Sequence, residues 1–262
     1  MATQAFKRGK SGSRNPISKA ERREARQARR RGNTNVYDMN VGINQQSTVR
    51  KEGVNTQPMQ YKTGKQKTYH QMIQEHSLVF GIGPAGTGKT HIAADYAALM
   101  LIEKRISKII VCRPAVESGR GLGFLPGEIE DKWAPYFKPI RRILEKRLGV
   151  SHVENLIKLG AIEIAPLEFL RGDTFENAIV LLDEAQNTTC NEMKTFLTRI
   201  GQNCKAIVDG DLEQIDIKEP SGLADALERL QGMRDFAVCE FDETEIIRHD
   251  LVKEIIVRYR RK

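Results

Sequence analysis

Long apolar runs are absent from this sequence. Runs such as 78–82 and 179–182 contain only a few residues each, whereas a helix that spans a bilayer needs about 20. The N-terminal segment carries charge from Lys7 onward without the apolar stretch of a secretory signal. These absences predict a cytoplasmic protein with no membrane partner.

Cysteine is scarce, with four residues in a chain of 262. No CxxC pair occurs, and no histidine stands at zinc-ligand spacing from a cysteine. The sequence therefore argues against a disulfide framework and against a zinc site. Its length is sufficient for one full-sized hydrophobic core.

Acidic residues are scarce at the N-terminal end. Residues 1–31 contain eleven Lys and Arg but only two Glu, a net charge of +9, whereas the whole chain carries +8. We predict a basic, arginine-rich arm over residues 1–35, disordered in isolation, then a polar linker over 36–63 and a globular domain over 64–262. Because dense arginines attract phosphate, the arm predicts a contact with RNA or single-stranded nucleic acid. A tail that only increases solubility is the alternative.

A phosphate-binding loop follows the first apolar strand. Residues 78–82 predict a buried strand, the next eight residues fit GxxxxGK[ST], and apolar residues at helical spacing over 91–105 place a helix after them. In this context backbone N–H groups surround the phosphates of ATP, Lys89 reaches the β- and γ-phosphates, and Thr90 contacts Mg²⁺. The predicted nucleotide-binding residues are Gly83, Pro84, Ala85, Gly86, Thr87, Gly88, Lys89 and Thr90.

An acidic pair follows the second strong apolar run. Residues 178–182 predict another buried strand, which ends in Asp183 and Glu184. We assign Asp183 to the same Mg²⁺ as Thr90, directly or through water. Glu184 is the candidate that orients and polarises a water molecule for attack on the γ-phosphate, which favours hydrolysis over transfer to a metabolite. A solvated acid that caps the following helix is the alternative for Glu184.

Polar residues also follow a third predicted strand at 205–209. Gln214 is a candidate contact for the γ-phosphate or the attacking water, because the carboxyl ends of parallel strands face one ligand. Asp211 is expected to support it, and an exposed turn is the alternative.

Strands and helices alternate along the chain. This alternation predicts an α/β fold, namely a RecA-like P-loop NTPase core with a mostly parallel sheet and helices on both faces. The further predicted strands are 108–112, 162–165 and 236–241, and one predicted helix covers 188–200.

Eight segments together resemble the PhoH family. They occur in the family's order and cover about residues 64–260. The segments are GIGPAGTGKT (81–90), CRPAVESGRGLGFLPG (112–127), IAPLEFLRGDTF (164–175), LLDEAQN (181–187), MKTFLTRIG (193–201), GDLEQID (210–216), SGL (221–223) and IIRHDLV (246–252).

The resemblance implies a single-lobe ATPase related to the first motor lobe of superfamily-one helicases, linked with RNA metabolism and phosphate starvation. It also implies a homo-oligomer, with a hexameric ring as one arrangement. It places Gln66 where such ATPases have a glutamine that contacts adenine, and a surface glutamine before a helix is the alternative.

Three positions depart from the family's pattern. Arg120 stands in place of an acid, Asp209 in place of threonine, and Asp250 in place of proline. None of them replaces a predicted ATP-binding residue, so we expect the differences at the RNA-facing or inter-subunit surface. The basic arm lies outside the resemblance.

An arginine normally stabilises the charge on the transferred phosphoryl group, and a single lobe lacks the second lobe that supplies it in a helicase motor. We predict that Arg199, at the end of the helix after Glu184, serves as a catalytic finger for a neighbouring subunit. Arg248 and Arg113 are further candidates, and a structural ion pair is the alternative for each.

The segment 127–149 combines Trp133, the only tryptophan, with several basic residues. Stacking on nucleic-acid bases and packing of a helix against the body both fit the spacing, and we favour packing. The sequence as a whole predicts a Mg²⁺-dependent ATPase that oligomerises and acts on RNA. The alternatives are a nucleotide-gated RNA-binding module with negligible turnover and a small-molecule phosphotransferase.

Overall fold

The structure, a computed structural model, describes residues 53–114, 129–170, 172 and 174–260, without the side chains of residues 129–136 and a few others. The predicted arm, most of the predicted linker and Arg120 lie outside the described residues.

The described residues form six β-strands and seven α-helices. Within these ranges, no helix is both long and apolar enough to cross a membrane. In chain order the elements are α1 (Gly64–Glu75), β1 (Leu78–Ile82), α2 (Lys89–Ile102), β2 (Lys108–Arg113), α3 (Ile129–Leu148), α4 (Val150–Lys158), β3 (Ile162–Pro166), β4 (Ala178–Leu182), α5 (Cys190–Leu197), β5 (Lys205–Gly210), α6 (Gly222–Arg229), β6 (Phe236–Glu240) and α7 (Asp250–Arg260), with short 3₁₀ helices at Leu167–Leu170, Ala185–Asn187 and Glu243–Glu245.

The six strands form one parallel sheet in the order β3-β2-β4-β5-β1-β6. Successive side chains of a strand point to opposite faces, so each strand contributes to two cores. Val79 of β1 packs with residues of α1, α2 and α3, whereas Phe80 packs with residues of α5 and α6. The predicted fold class is confirmed: the described residues form an α/β fold with a parallel sheet and helices on both faces.

Most element bounds agree with the sequence prediction. Strands β1 and β4 have the predicted bounds, and each of the other four differs from its prediction by one residue at one end. Helix α5 is shorter than the predicted 188–200, because Thr189 and Glu192 form a capping box that starts it at Cys190. Its C-terminal end is followed at once by a parallel bridge between Phe175 and Ile200.

Helix α3 packs its apolar side against the body. Phe137, Ile140 and Leu144 are buried in the core that includes α2. The described part of this segment therefore agrees with packing, and the side chain of Trp133 lies outside the description.

The folded body begins N-terminal to the predicted boundary at residue 64. Met59 is buried, and the backbone N–H of Asn55 donates to the carbonyl of Arg147 at 2.8 Å. Arg147 also forms a buried ion pair with Asp95 of α2. The described residues of the predicted linker are thus fixed to α2 and α3.

Candidate nucleotide-binding site

A cleft of about 520 Å³ lies at the carboxyl edge of the sheet. The loop between β1 and α2, the ends of β2, β4 and β5, and one side of α3 surround it. This edge is where ligands bind in open parallel α/β sheets. Its polar lining residues are Gln60, Lys62, Gln66, Lys89, Thr90, His91, Arg113, Lys146, Asp183, Glu184, Asp209, Asp211, Gln214 and Arg248.

The loop between β1 and α2 requires glycine at its turns. Gly83 has φ of 134°, and a Cβ there would lie 2.2 Å from the carbonyl oxygen of Phe241. Gly88 has φ of 86° and is the N-cap of α2, so the N-terminus of this helix opens onto the cleft. Of the predicted loop residues, the cleft lining includes Ala85, Gly86, Gly88, Lys89 and Thr90 but not Gly83, Pro84 or Thr87.

The loop itself holds the ammonium group of Lys89. Its Nζ donates to the carbonyl oxygens of Gly83 at 2.6 Å and Pro84 at 2.9 Å. Burial lowers the pKa of Lys89, and the nearby Asp209 carboxylate opposes that shift. The loop therefore keeps a positive charge at one end of the cleft.

Gln66 supports the loop from α1. It is 3% exposed, its Nε2 donates to the carbonyl of Thr87 at 2.8 Å, and its Oε1 accepts from the backbone N–H of Lys62 at 2.8 Å. These bonds leave one amide hydrogen and one lone pair for another partner. Its contact with adenine stays a prediction, and bracing of the loop is a role that the sequence did not indicate.

Thr90 and Asp183 lie side by side. The hydroxyl of Thr90 donates to Oδ1 of Asp183 at 3.1 Å. Strand β4 fixes Asp183 at the edge of the sheet, where its backbone N–H donates to the carbonyl of Cys112 at 3.0 Å. Hydroxyl and carboxylate oxygens are the ligands that Mg²⁺ prefers, so this pair fits the predicted metal contact.

Glu184 has an unusual backbone conformation. Its φ of 56° lies in the left-handed region, which is uncommon for a residue other than glycine. Its Oε2 accepts from Nε2 of Gln186 at 2.8 Å. Gln186 is 1% exposed, and its Oε1 accepts from the backbone N–H of Asp211 at 3.1 Å. Sequence reasoning missed Gln186, for which the only signal was its place two residues after Glu184.

Gln214 lies in the cleft lining, on the loop after β5. Its Nε2 donates to Oδ2 of Asp211 at 2.6 Å. The same loop is tied to the phosphate-binding loop, since the N–H of Gly83 donates to the carbonyl of Gly210 at 3.0 Å. The contact between Gln214 and Asp211 agrees with the support expected from Asp211.

The three candidate arginines lie in different places. Arg113 and Arg248 line the cleft of their own chain. Arg199 accepts a backbone hydrogen bond from Phe175, which precedes β4 and therefore lies at the amino edge of the sheet. Arg199 lies outside the cleft lining, in a small depression that it shares with Glu168 and Phe175, and its assignment stays a prediction that concerns an assembly.

Asp209 is one of the three positions that depart from the family's pattern, which we expected on the RNA-facing or inter-subunit surface. It lies instead behind the phosphate-binding loop. It is buried, and its Oδ1 accepts from the hydroxyl of Tyr69 at 2.6 Å. Burial raises the pKa of Asp209 to about 7, which the hydrogen bond from Tyr69 partly opposes. Asp209 is therefore a buried acid within the cleft lining.

The segment after β6 contacts the same loop. The backbone N–H of Ile247 donates to the carbonyl of Gly86 at 2.9 Å, and a Cβ on Gly86 would lie 3.0 Å from Nε of Arg248. Asp250 is the first residue of α7. An acidic residue is favourable in the first turn of a helix, and proline, which we expected at this position, is favourable there too.

A glycine-rich loop that holds a lysine, next to a threonine–aspartate pair at the carboxyl edge of a parallel sheet, defines the class of P-loop NTPases. Within that class, the chain belongs to the PhoH-like protein family, which matches residues 58–260.

Relatives in several bacteria support this membership. The chain is 49% identical over 200 residues to a PhoH-like protein of Bacillus subtilis (strain 168), covering 76% of this chain and 63% of that protein. It is 39% identical over 243 residues to Protein PhoH of Escherichia coli (strain K12), covering 91% of this chain and 69% of that protein. The chain thus spans slightly less than two-thirds of the Bacillus protein. The Escherichia alignment extends into the region before residue 58, part of which we had placed outside the resemblance.

Two solved helicase structures show weak similarity. The UvsW helicase of bacteriophage T4 has a TM-score of 0.45 and 12% identity, with 72% of this chain and 62% of that chain covered. The Pif1 helicase of Candida albicans has a TM-score of 0.39 and 13% identity, with 77% of this chain and 44% of that chain covered.

Proposed function

We propose that the protein is a Mg²⁺-dependent ATPase that acts on RNA. The observation that supports the proposal is the convergence of Lys89, the hydrogen-bonded pair of Thr90 and Asp183, and Glu184 in one cleft. A cation, a hard metal-ligand pair and an adjacent carboxylate are the groups that phosphoryl transfer to water needs.

Each group has one task in this proposal. Lys89 and the N-terminus of α2 bind the phosphates of ATP, and Thr90 and Asp183 hold Mg²⁺. The metal, when bound, neutralises charge on the phosphate oxygens. Glu184 accepts a hydrogen bond from the attacking water and takes its proton, while Gln186 fixes the carboxylate through Oε2.

Gln214, held by Asp211, orients the water or the γ-phosphate. The hydrogen bond that Nε2 of Gln214 donates to Asp211 also fixes the direction of this amide, because it leaves Oε1 to accept from a donor such as water. Gln214 is therefore a positioning contact in the proposal, whereas Glu184 performs the proton transfer.

The first test compares wild type with Glu184→Gln in steady-state ATP hydrolysis, with and without single-stranded RNA. We expect RNA-stimulated turnover in wild type and a loss of roughly 10²-fold or more in the variant, with ATP binding retained. Tight ATP binding without turnover in either protein would favour a nucleotide-gated RNA-binding module. Transfer of the γ-phosphate to an organic acceptor would favour a phosphotransferase.

The nucleic-acid contact rests on the basic segment 1–31. If about six of its arginines contact phosphates of a single strand, deletion of the segment should reduce the slope of log K against log salt by about four. An unchanged slope would leave the segment as a tail that increases solubility.

The assembly is a homo-oligomer in this proposal, with a hexameric ring as one arrangement. Arg199 does not line the cleft of its own chain, and head-to-tail packing, which can close a ring, would place it at a neighbour's cleft. Arg199→Ala should lower turnover of the assembled protein. Undiminished turnover with the assembly intact would remove Arg199 from the site.

A further inference from the structure

Arg113 occupies the side of Asp183 that faces away from Thr90. Its Nη2 donates to Oδ2 of Asp183 at 2.5 Å, whereas Thr90 uses Oδ1. The same nitrogen lies 3.7 Å from Oε1 of Glu184. One guanidinium group therefore contacts both carboxylates to which we assign the metal and the attacking water.

The position of Arg113 is fixed by its strand. It is the last residue of β2, and the register pairs Cys112 with Leu182, so the residues that follow these two project from neighbouring strand ends. This register brings Arg113 to the acidic pair without any help from a second subunit.

The guanidinium group still has unused donors. Its Nε is buried and has no hydrogen-bond partner among the described residues. A buried N–H group without an acceptor costs free energy. A different position of the guanidinium group that gives Nε an acceptor would remove this cost.

We propose that Arg113 competes with Mg²⁺ for Asp183 and thereby sets the Mg²⁺ requirement of nucleotide binding. This inference rests on the proposed function. Arg113 holds Asp183 and Glu184 while the cleft has no nucleotide, and its positive charge opposes binding of Mg²⁺ at the Thr90 side of the same carboxylate. Two cations on one carboxylate repel each other even when they contact different oxygens, so binding of one weakens binding of the other.

A purely structural role makes the opposite prediction. If Arg113 only kept Asp183 in place, its removal would misplace a metal ligand, and more Mg²⁺ would be needed. If Arg113 competes, its removal takes one positive charge away from the Asp183 carboxylate, and less Mg²⁺ is needed. The direction of the change therefore distinguishes the two roles.

The experiment measures binding of the non-hydrolysable analogue AMP-PNP to the full chain over a series of free Mg²⁺ concentrations at constant ionic strength. For Arg113→Met we expect the Mg²⁺ concentration of half-maximal binding to fall about tenfold, the size of one charge-assisted hydrogen bond. Arg113→Lys keeps the charge beside Asp183 and should stay near wild type.

Arg248→Met is the matched control, since Arg248 lines the same cleft beside Gly86. It should weaken AMP-PNP binding at every Mg²⁺ concentration without lowering the half-maximal value. An unchanged or raised half-maximal Mg²⁺ concentration in Arg113→Met would overturn the proposal.

Failure of this inference is distinguishable from failure of the proposed function. Mg²⁺-dependent binding of AMP-PNP that shifts as expected, without hydrolysis of ATP, would leave the competition standing and remove the ATPase activity. Hydrolysis without the expected shift would do the reverse. Wild-type protein that binds no AMP-PNP at any Mg²⁺ concentration would overturn both.

Discussion

Two arginine–aspartate pairs in this molecule have similar distances but different surroundings. Arg147 binds both carboxylate oxygens of Asp95, at 2.6 and 2.5 Å. Its Nη1 also donates to the carbonyl oxygens of Asn55 at 3.0 Å and Gln57 at 2.6 Å. Arg113, in contrast, makes one hydrogen bond to Asp183 and retains an unpartnered Nε among the described residues.

The difference indicates which pair can exchange partners. The side chains of Arg147 and Asp95 are 7% and 9% exposed, and neither lines the cleft. Every bond of Arg147 joins it to another part of the fold: α2, or the segment before α1. The pair of Arg113 and Asp183 lies in the cleft lining, where a ligand can replace one partner. The pair of Arg147 and Asp95 therefore stabilises the fold, whereas the pair of Arg113 and Asp183 can exchange a partner for a ligand.

The largest expected effect is on stability, from Asp95→Ala. Removal of Asp95 leaves the buried guanidinium of Arg147 without its counter-ion, which should cost about 3–5 kcal/mol in the free energy of unfolding. Urea denaturation measures this change. Asp225→Ala, which removes the partner of the largely exposed Arg229, is the control and should change stability little. A loss for Asp95→Ala no greater than that of the control would contradict the structural role of the pair.

A smaller loss is expected when the pair in the cleft is broken. Arg113→Met should lower the free energy of unfolding by about 1–2 kcal/mol, because Asp183 keeps the hydrogen bond from Thr90 and gains access to water from the cleft. Arg147→Met, measured beside it, should cost clearly more. Equal losses in the two variants would remove the distinction between the pairs.

The sequence predicted those parts of the site that depend on local pattern. The loop at 83–90 has a fixed spacing of glycine, lysine and threonine. Apolar runs marked β1 and β4, and an acidic pair follows β4 directly. These features depend only on residues that are close in the sequence. The observed bounds of the strands agree with the predicted bounds to within one residue.

The parts that the sequence did not predict depend on contacts between distant residues. Arg113 meets Asp183, 70 positions away, only because β2 lies next to β4. Arg147 and Asp95 are 52 positions apart and carry no motif. Arg199 follows helix α5, as predicted, and its role as a finger for a neighbouring subunit stays a prediction because it depends on contacts between chains.

Asp209 extends the comparison to a buried aspartate whose partner, Tyr69, is neutral. Its pKa in the folded protein is raised to about 7, above its unfolded value of about 4. Its contribution to stability is therefore fully present below about pH 4 and is lost as pH rises to about 7, by up to about 1.4 kcal/mol per pH unit. Asp209→Asn keeps an acceptor for Tyr69 but cannot ionise.

The measurement is the free energy of unfolding of wild type and of Asp209→Asn between pH 4 and pH 8. The variant should gain stability relative to wild type as pH rises through this window. Only wild type has a buried carboxyl group, and above about pH 4 it costs free energy either to ionise that group or to keep it protonated. A difference between Asp209→Asn and wild type that does not change with pH would mean that Asp209 is ionised throughout and that the positive charge of Lys89 compensates it.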